Sequence, residues 1–582
     1  MLPIFFYAAL LLIGGFAPDL YAQALPTSAL KDKVLTGKDT QGLLRQQEHE
    51  RILRQQQEHT PDVRLSNEDK AKAAELSCKL PTSETPCFPI ELIVLKGEES
   101  HRFAWALQAA NRPDDPTSGR CLGAQGINLV MKRVQNALIE RGYVTTRVLA
   151  EPQDLKSGVL TLTVIPGRLH TIRFTAKTAG RATQWNAVPI KAGDLLNLRD
   201  IEQSLENFKR VPTVEANIDI TPAAQADAQP GESDLMIDWQ QSLPLRLTLS
   251  ADDAGSKATG KYQGNVSISV DHWWTLNDLF YVSFSQGLRG GGAGPKGTRG
   301  HTIHYSVPLG YWLLGLTASR YGYQQTVAGP YENYMYSGAS QNNEIKLSRL
   351  LYRDASRKLT ASLRGYFKES SSFIEGTELD HHRRRLAGWE LALAHREYIG
   401  RGALAIQVAH QRGTGALNAL LAAEAESGEG TSYPKFFSAE VALDMPFTLA
   451  RQKIRYNGVW RAQWQRTPLI PQDRFSLGGR YTVRGFDGEL TLLAERGWLI
   501  RNDLGLALGS SGQELYVGVD YGQLGGPSTE FLPGSRLAGG VIGLRGGFKN
   551  VQYDVFAGRP FKKPEVFDTA NVTAGFSASY SF

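Results

Sequence analysis

The stretch Asn571–Phe582 reads NVTAGFSASYSF, and apolar and polar side chains alternate along it. Successive side chains of a β-strand point to opposite faces, so this pattern predicts a strand with one dry face and one wet face. The same period of two recurs in four earlier stretches, namely Tyr262–Asp271, Leu359–Lys368, Phe437–Met445 and Arg455–Gln465. Residues 243–582 are therefore expected to form a series of such strands.

The dry faces of these strands carry Ala, Val and aromatic residues, whereas the wet faces carry Arg, Glu and Asp. All but three of the 22 tyrosines and seven of the ten tryptophans lie from Tyr262 onward. Such strands suit a closed barrel in an outer membrane, where lipid forbids open sheet edges and Tyr and Trp form interfacial girdles. At ~10 residues a strand, the region holds roughly 14 to 18 strands. Gly-rich stretches such as Gly287–Gly300 are expected to be loops, and a large soluble β-sandwich array is the alternative fold.

The composition of the whole chain excludes several other classes of protein. Of its 582 residues 42% are hydrophobic and 21% are charged, which is ordinary for folded protein and excludes low-complexity disorder. After the N-terminus no stretch approaches the ~18 consecutive apolar residues of a spanning helix, which excludes a polytopic helical membrane protein. The formal net charge of +6 is spread over a long chain and indicates no nucleic-acid partner.

Residues 1–24 are predicted to be a secretory signal. The apolar run Leu2–Ala17 is followed by Ala22-Gln23-Ala24, a small-x-small site, so cleavage is expected near Ala22 or Ala24. No Lys or Arg precedes the apolar run, and an N-terminal membrane anchor is the alternative. Export would make disulfides possible.

The next segment, Thr40–Glu58, predicts a helix that is polar nearly all round. At about 1.5 Å per residue it would be ~28 Å long. A helix of this kind sits in water or bridges two bodies rather than entering a core. Residues 61–87, with three prolines and many charges, predict a linker, which the family resemblance described below places in the periplasm.

Two α/β units of about 75 residues each are predicted at 88–166 and 167–242. The first contains a strand at Phe88–Leu95, a helix at 127–141 and strands at Val144–Leu149 and Val159–Ile165. The second contains matching elements at Leu169–Phe174, Ile201–Lys209, Ala216–Ile220 and Leu235–Trp239. The order strand, helix, helix, strand, strand therefore occurs twice.

Three cysteines, Cys78, Cys87 and Cys121, all precede the predicted barrel. They allow three pairings, and we favour Cys87–Cys121 because both flank predicted elements of one small domain, whereas Cys78 lies in the linker. Free thiols are the alternative. Two cysteines do not make a metal site, and no metal or other cofactor is expected.

No catalytic constellation is present, so the chain is not expected to be an enzyme. Gly294-Pro295-Lys296 lacks the spacing of a P-loop, and His381-His382 with the three arginines that follow indicates a solvated loop. Two other features stand out: the Gly-rich stretch 477–488 (LGGRYTVRGFDG) and the strand Leu515–Gly522. Parity places Asp520 on the lumen wall, where Arg484 of the loop could form a charge-assisted hydrogen bond. From these residues alone, an exposed turn and an unrelated lumen acid are equally acceptable.

A resemblance to a known family rests on motifs spread over nearly the whole mature chain. Val483-Arg484-Gly485-Phe486 followed by Gly518-Val519-Asp520-Tyr521-Gly522 resembles the signature of outer-membrane transporters that join POTRA domains to a barrel. Further matching stretches are 120–123 (RCLG), 141–148 (RGYVTTRV), 166–168 (PGR), 253–262 (DAGSKATGKY) and 349–354 (RLLYRD). Together they are similar to the two-partner secretion transporters, the TpsB family of ShlB/FhaC/HecB-like haemolysin secretion/activation proteins. Phe486, where the family frequently has Tyr, is a small departure.

The resemblance implies a mainly β fold with a barrel of about sixteen antiparallel strands at 243–582. It implies POTRA domains at 88–166 and 167–242 in the periplasm of a Gram-negative cell, and a plug helix within 25–60. The motif loop would fold into the lumen, where Arg484 would pair with Asp520 on a wall that includes Gly518 and Gly522. In a wet channel that pair is expected to contribute ~0–1 kcal/mol to stability.

The resemblance also implies partners. The cargo would be an unfolded exoprotein with an N-terminal secretion domain, of the adhesin, haemolysin or contact-dependent inhibition toxin class, moved without ATP. The barrel would contact outer-membrane lipid, and Phe582, with Phe576 and Tyr580 in register, resembles the signal recognised by the barrel-assembly machinery. The alternative function is an outer-membrane protein assembly or insertion factor.

Overall fold

The computed structural model describes residues 42, 44–55, 57–58, 61–65, 79–288, 295–328 and 331–582. The predicted signal 1–24 and Cys78 lie outside these described residues. Ahead of the first domain, residues 44–55 and 57 are helical and are named α1. Among the residues described, no helix combines the length and the apolar character that crossing a membrane requires.

The first α/β domain contains a three-stranded sheet in the order β2–β5–β4, in which β2 and β5 are parallel. Its elements are β1 Phe88–Ile90, β2 Leu92–Lys96, α2 Ser100–Phe103, α3 Leu107–Ala110, β3 Arg120–Leu122, α4 Ala124–Glu140, β4 Arg147–Leu149 and β5 Val159–Ile165. The prediction of one strand over Phe88–Leu95 is wrong: the strand is interrupted at Glu91, because β1 pairs with β3 whereas β2 pairs with β5. One face of α4 buries Val130, Val134 and Leu138 in the core of the domain.

The second α/β domain has the sheet order β6–β8–β7, again with its first and last strands parallel. Its elements are β6 Arg168–Phe174, α5 Leu198–Lys209, β7 Val214–Pro222 and β8 Glu232–Gln241. The predicted order strand, helix, helix, strand, strand is wrong for this domain, because residues 175–197 form turns where the first domain has its short helices. Asn197 begins α5 as its N-cap, because its side chain accepts a hydrogen bond from the N–H of Arg199.

The rest of the chain forms a closed antiparallel barrel of sixteen strands, which confirms the predicted fold class. The wall strands are β9 Leu245–Asp252, β10 Tyr262–Asp271, β11 Leu279–Leu288, β12 Gly297–Leu309, β13 Trp312–Ala328, β14 Asn333–Arg353, β15 Arg357–Ile374, β17 Arg384–Ile399, β18 Gly402–Thr414, β19 Lys435–Leu449, β20 Gln452–Gln465, β23 Arg496–Ala507, β24 Gln513–Gly525, β25 Arg536–Phe548, β26 Val551–Lys562 and β27 Thr573–Ser581. The two-residue β16, Thr377–Glu378, extends the edge of β15. Pairing of β27 with β9 closes the ring.

Smaller elements lie outside the wall. Strands β21 Phe475–Leu477 and β22 Leu492–Ala494 form a separate hairpin. Short 3-10 helices lie at Ala104–Ala106, Leu155–Ser157, Asp380–His382, Ala416–Asn418, Ala423–Ala425, Pro471–Asp473 and Pro527–Phe531. The predicted loop Gly287–Gly300 is too long, because β11 continues to Leu288 and β12 begins at Gly297.

Along the wall strands, the apolar side chains are exposed and the polar ones are buried, as a membrane barrel requires. In β10, Val266 and Ile268 are 39% and 41% exposed, whereas the alternating Ser267 and Ser269 are each 1% exposed. Apolar side chains therefore point out of the barrel and polar side chains point into it. A soluble sandwich would bury the apolar set, so that alternative is wrong.

The second α/β domain docks against one end of the barrel through α5. Asn207 of α5 donates to the carbonyl of Gly310 (2.8 Å) and Asp200 of α5 accepts from Tyr311, both in the β12–β13 connection. Arg210, which follows the helix, donates to the hydroxyl of Ser306 on β12 (2.6 Å) and to the carbonyl of Asn277 in the β10–β11 connection (3.1 Å). These bonds fix the domain against this end of the barrel.

Candidate functional site

The helix α1 lies inside the barrel, where its polar side chains bond to four strands of the wall. Arg461 donates to Glu48 (2.6 Å), Ser269 donates to Gln57 (3.3 Å), Tyr281 donates to Glu58 (3.2 Å), and Arg54 donates to Glu344 (3.0 Å). The partners come from β20, β10, β11 and β14. A helix that is polar all round suits this position because every face meets a polar wall.

The same helix also touches the motif loop, residues 466–495 between β20 and β23. Arg45 donates a hydrogen bond to the carbonyl oxygen of Gly488. His49 Nδ1 lies 3.0 Å from the hydroxyl of Tyr481 and 3.8 Å from Asp252 on β9. The helix α1 and the motif loop therefore lie side by side in the lumen.

The motif loop is anchored by an apolar cluster inside the barrel. Val483 and Phe486 are 0% and 3% exposed. The rings of Phe486 and Phe567 pack edge to face, with their centroids 5.8 Å apart. The cluster also contains Leu477, Leu492, Ala494, Leu499, Leu524 and Leu537. Because these side chains come from the loop, from the hairpin and from the wall, they hold the loop against β23, β24 and β25.

Arg484 lies at the centre of this contact and binds Asp520 through three bonds. The carboxylate accepts from the Arg484 backbone N–H at 2.9 Å, from Nε at 2.8 Å and from Nη2 at 2.8 Å. This bidentate geometry with an added backbone bond is the strongest form of an arginine–carboxylate contact. The structure thus brings together the two residues that the sequence analysis singled out.

A second carboxylate, Asp503, shares the same guanidinium and was not predicted. It accepts from Arg484 Nη2 at 2.5 Å and from Arg545 Nη1 at 3.1 Å. Asp503 stands opposite Gly518 in the β23–β24 register. The parity argument that placed Asp520 inward applies equally to β23, so the sequence contained the signal.

The surroundings of the Arg484–Asp520 pair are dry. The two residues are 5% and 1% exposed. The expectation that this pair lies in a wet channel is therefore wrong, and with it the reason for expecting a contribution of ~0–1 kcal/mol. Removing one partner would leave a buried charge without compensation, which typically costs about 3–5 kcal/mol.

Glycines make the close approach of loop and wall possible. A Cβ on Gly518 would lie 2.6 Å from Arg484 Nη2. Gly485 has φ of +92°, and a Cβ there would lie 2.4 Å from the carbonyl oxygen of Arg559. On Gly522 a Cβ would lie 2.6 Å from Leu477. These positions leave no room for a larger residue without moving the loop.

The remaining predicted residues lie away from the lumen contact. Cys87 and Cys121 form a disulfide with a Cα–Cα distance of 5.2 Å in the first α/β domain. Phe576 and Tyr580 lie on β27. Phe582 follows the strand, is 73% exposed, and donates its backbone N–H to the carbonyl of Leu247 at 2.8 Å.

Three family models match the chain. The model described as haemolysin secretion/activation protein ShlB/FhaC/HecB matches residues 231–546. A model of the ShlB-type POTRA domain matches residues 88–167, and another POTRA model matches residues 168–222. The matches cover both α/β domains and most of the barrel.

Known relatives agree with these models. The outer membrane transporter CdiB-2 of Burkholderia pseudomallei (strain 1026b) is 37% identical over 519 residues, which cover 86% of this chain and 88% of the relative. The hemolysin transporter protein ShlB of Serratia marcescens is 24% identical over 523 residues, which cover 87% of each chain. The solved structure of CdiB from Acinetobacter baumannii is 28% identical, covers 96% of this chain and 100% of its own, and superposes with a TM-score of 0.77.

Proposed function

The chain belongs to the family of haemolysin secretion/activation proteins ShlB/FhaC/HecB, and on this premise we propose how its parts serve transport. It is an outer-membrane transporter of two-partner secretion, with the barrel in the outer membrane and both POTRA domains in the periplasm. The family and the transporter function predicted from the sequence are confirmed.

The cargo is an unfolded exoprotein with an N-terminal secretion domain, of the adhesin, haemolysin or contact-dependent inhibition toxin class. The POTRA domains receive it by β-augmentation, in which an extended segment adds to an open sheet edge. Support comes from β7, which pairs with β8 alone among the described strands. Along β7, Glu215, Asn217 and Asp219 are exposed, so one face of this strand meets solvent.

Translocation proceeds without ATP. The periplasm holds no ATP pool, and the sequence has no P-loop. Folding of the cargo outside the cell prevents its return and so drives net export. The route is the lumen, which α1 fills in this state, so the helix leaves during transport. Its contacts are hydrogen bonds and ion pairs, and water competes for pairs such as Arg51–Glu440, whose side chains are 36% and 39% exposed.

The motif loop stays in the lumen and acts as the fixed part of the passage. The observation that carries this proposal is the buried contact of Arg484 with Asp520 and Asp503. A contact of this kind is costly to break, so it positions the loop while the plug moves.

Secretion in a strain that lacks this chain tests the proposal. We expect the exoprotein to disappear from the medium and surface, and to return when the chain is supplied in trans. Levels of unrelated outer-membrane barrels should stay constant. Depletion of those barrels with normal secretion of the exoprotein would instead identify an assembly factor.

Phe582 is proposed to be part of the signal by which the barrel-assembly machinery receives this chain, together with Phe576 and Tyr580. Deleting Phe582 should lower the amount of folded barrel in the outer membrane, measured by heat-modifiable migration on gels. Deletion removes one exposed side chain and two backbone hydrogen bonds to Leu247 at the strand end, and the strand pairs of the barrel wall stay in place. Unchanged outer-membrane levels would contradict this assignment.

A further inference from the structure

The polar flank of α5 is buried, although it carries two glutamates. Glu202 is 0% exposed and Glu206 is 8% exposed. Glutamates are rarely buried unless they are paired. Arg353, at the end of β14, provides part of this pairing. Its side chain is 3% exposed. It donates hydrogen bonds to Glu202 at 2.8 Å and to Glu206 at 3.0 Å. The carboxylates thus form the floor of a groove between the second POTRA domain and the barrel.

The groove is occupied by residues 61–65, which follow the plug helix. The backbone N–H of Val63 donates to Glu206 at 3.0 Å, and the N–H of Leu65 donates to Glu202 at 2.8 Å. Donors at i and i+2 of an extended chain are about 6.6 Å apart. Carboxylates at i and i+4 of a helix are separated by about 6 Å of rise. The two spacings match, so the groove suits an extended peptide lying along α5.

Side chains complete the fit of this segment. Val63 and Leu65 pack against the core of the second POTRA domain. The carbonyl oxygen of Val63 accepts a bond from Arg353. Ahead of them, Asp62 pairs with Lys358 of β15. The groove therefore binds backbone groups, two apolar side chains at alternate positions and one preceding acid.

We propose that this groove is a binding site for an extended segment of the secreted partner, and that residues 61–65 are its resting occupant. The proposal rests on the transport function proposed above. A cargo segment with apolar residues at i and i+2 after an acidic residue would take the same bonds. Because residues 61–65 follow α1 directly, exchange of the occupant would free the end of the plug and couple cargo capture to opening.

The test measures binding of the purified secretion domain of the exoprotein to the full-length transporter in detergent. The variant Val63→Gly/Leu65→Gly weakens the occupant and leaves the groove intact. If the occupant fills the groove about nine times in ten, its loss should lower the apparent Kd about tenfold. Adding Glu206→Gln to Val63→Gly/Leu65→Gly weakens the groove itself and should raise the apparent Kd above that of Val63→Gly/Leu65→Gly alone. A milder pair, Val63→Ala/Leu65→Ala, should shift the Kd in the same direction as the glycine pair.

Arg54→Gln is the matched control, because it loosens the plug at Glu344 without touching the groove. It should change the Kd less than Val63→Gly/Leu65→Gly does. An unchanged or higher Kd for both pairs of variants at 63 and 65 would overturn the exchange proposal. If no form binds the secretion domain while secretion still requires the chain, the groove proposal fails and the transport function stands. Unchanged secretion on removal of the chain would be a failure of the transport function itself.

Discussion

Two sets of charged contacts line the lumen. The plug set contains exposed pairs beside better-buried ones such as Arg54–Glu344, whose side chains are 27% and 9% exposed, whereas the Arg484–Asp520 contact of the loop is buried. The plug contact between Arg51 and Glu440 spans 3.7 Å, and its side chains are 36% and 39% exposed. In the loop contact, the side chains of Arg484 and Asp520 are 5% and 0% exposed. Water competes for the first contact and is excluded from the second. The comparison indicates that the barrel holds the plug helix so that it can leave the lumen, and holds the motif loop so that it stays.

The largest effect is expected from Asp520→Asn. This change neutralises the carboxylate that accepts three hydrogen bonds from Arg484. Among the residues that the structure describes, Asp503 is then the one charged partner that still bonds to the Arg484 guanidinium. We expect loss of cargo secretion at normal barrel levels, measured by immunoblots of medium and membranes.

Asp503→Asn is the graded comparison for that prediction. It should have a smaller effect, because Asp503 gives Arg484 one bond rather than three. Equal secretion by the Asp520→Asn variant and the wild type would contradict the idea that the loop must be fixed.

A second expected effect concerns the backbone of the loop. Gly485→Ala forces a Cβ to within 2.4 Å of the Arg559 carbonyl at φ of +92°. The loop should move away from the wall, which limited proteolysis within 466–495 would detect. Gly509→Ala is the matched control, since its φ is +60° but nothing lies within 4 Å of the added Cβ. The two variants should differ strongly, and equal cleavage would indicate that the close contact is unimportant.

The smallest effect is expected from salt. The Debye length falls from about 8 Å at 0.15 M salt to about 3 Å at 1 M, which weakens the more exposed plug contacts such as Arg51–Glu440. In planar bilayers the open probability should rise about twofold over this range, in line with ion pairs of this exposure. Susceptibility of residues 466–495 to protease should not change. A salt response of the loop equal to that of the plug would remove the distinction between them.

Much of this arrangement could be predicted from local sequence. The alternation of apolar and polar residues predicted the barrel strands and the inward position of Asp520. It could do so because a period of two is visible in a few consecutive residues. The interruption of the first strand at Glu91 could not be predicted from local sequence. It arises because β1 pairs with β3 whereas β2 pairs with β5, and both partners lie further along the chain. Burial of Arg484 was missed for a similar reason, since Phe567, far along the chain, helps to close the cluster over the loop.

The contacts of Arg353 with α5 are also beyond sequence reasoning. The stretch 349–354 carries part of the family resemblance, but its partners Glu202 and Glu206 lie some 150 positions earlier. Only docking of the second POTRA domain on the barrel brings them together.

The most direct test compares Arg484→Ala with Arg54→Ala at matched barrel levels, with secretion and basal conductance measured for both. Arg484→Ala should reduce secretion more than about tenfold, because two buried carboxylates lose their shared cation. Arg54→Ala should raise basal conductance and leave secretion within about twofold of wild type. Normal secretion by Arg484→Ala, or loss of secretion by Arg54→Ala alone, would contradict the account of a fixed loop and a movable plug.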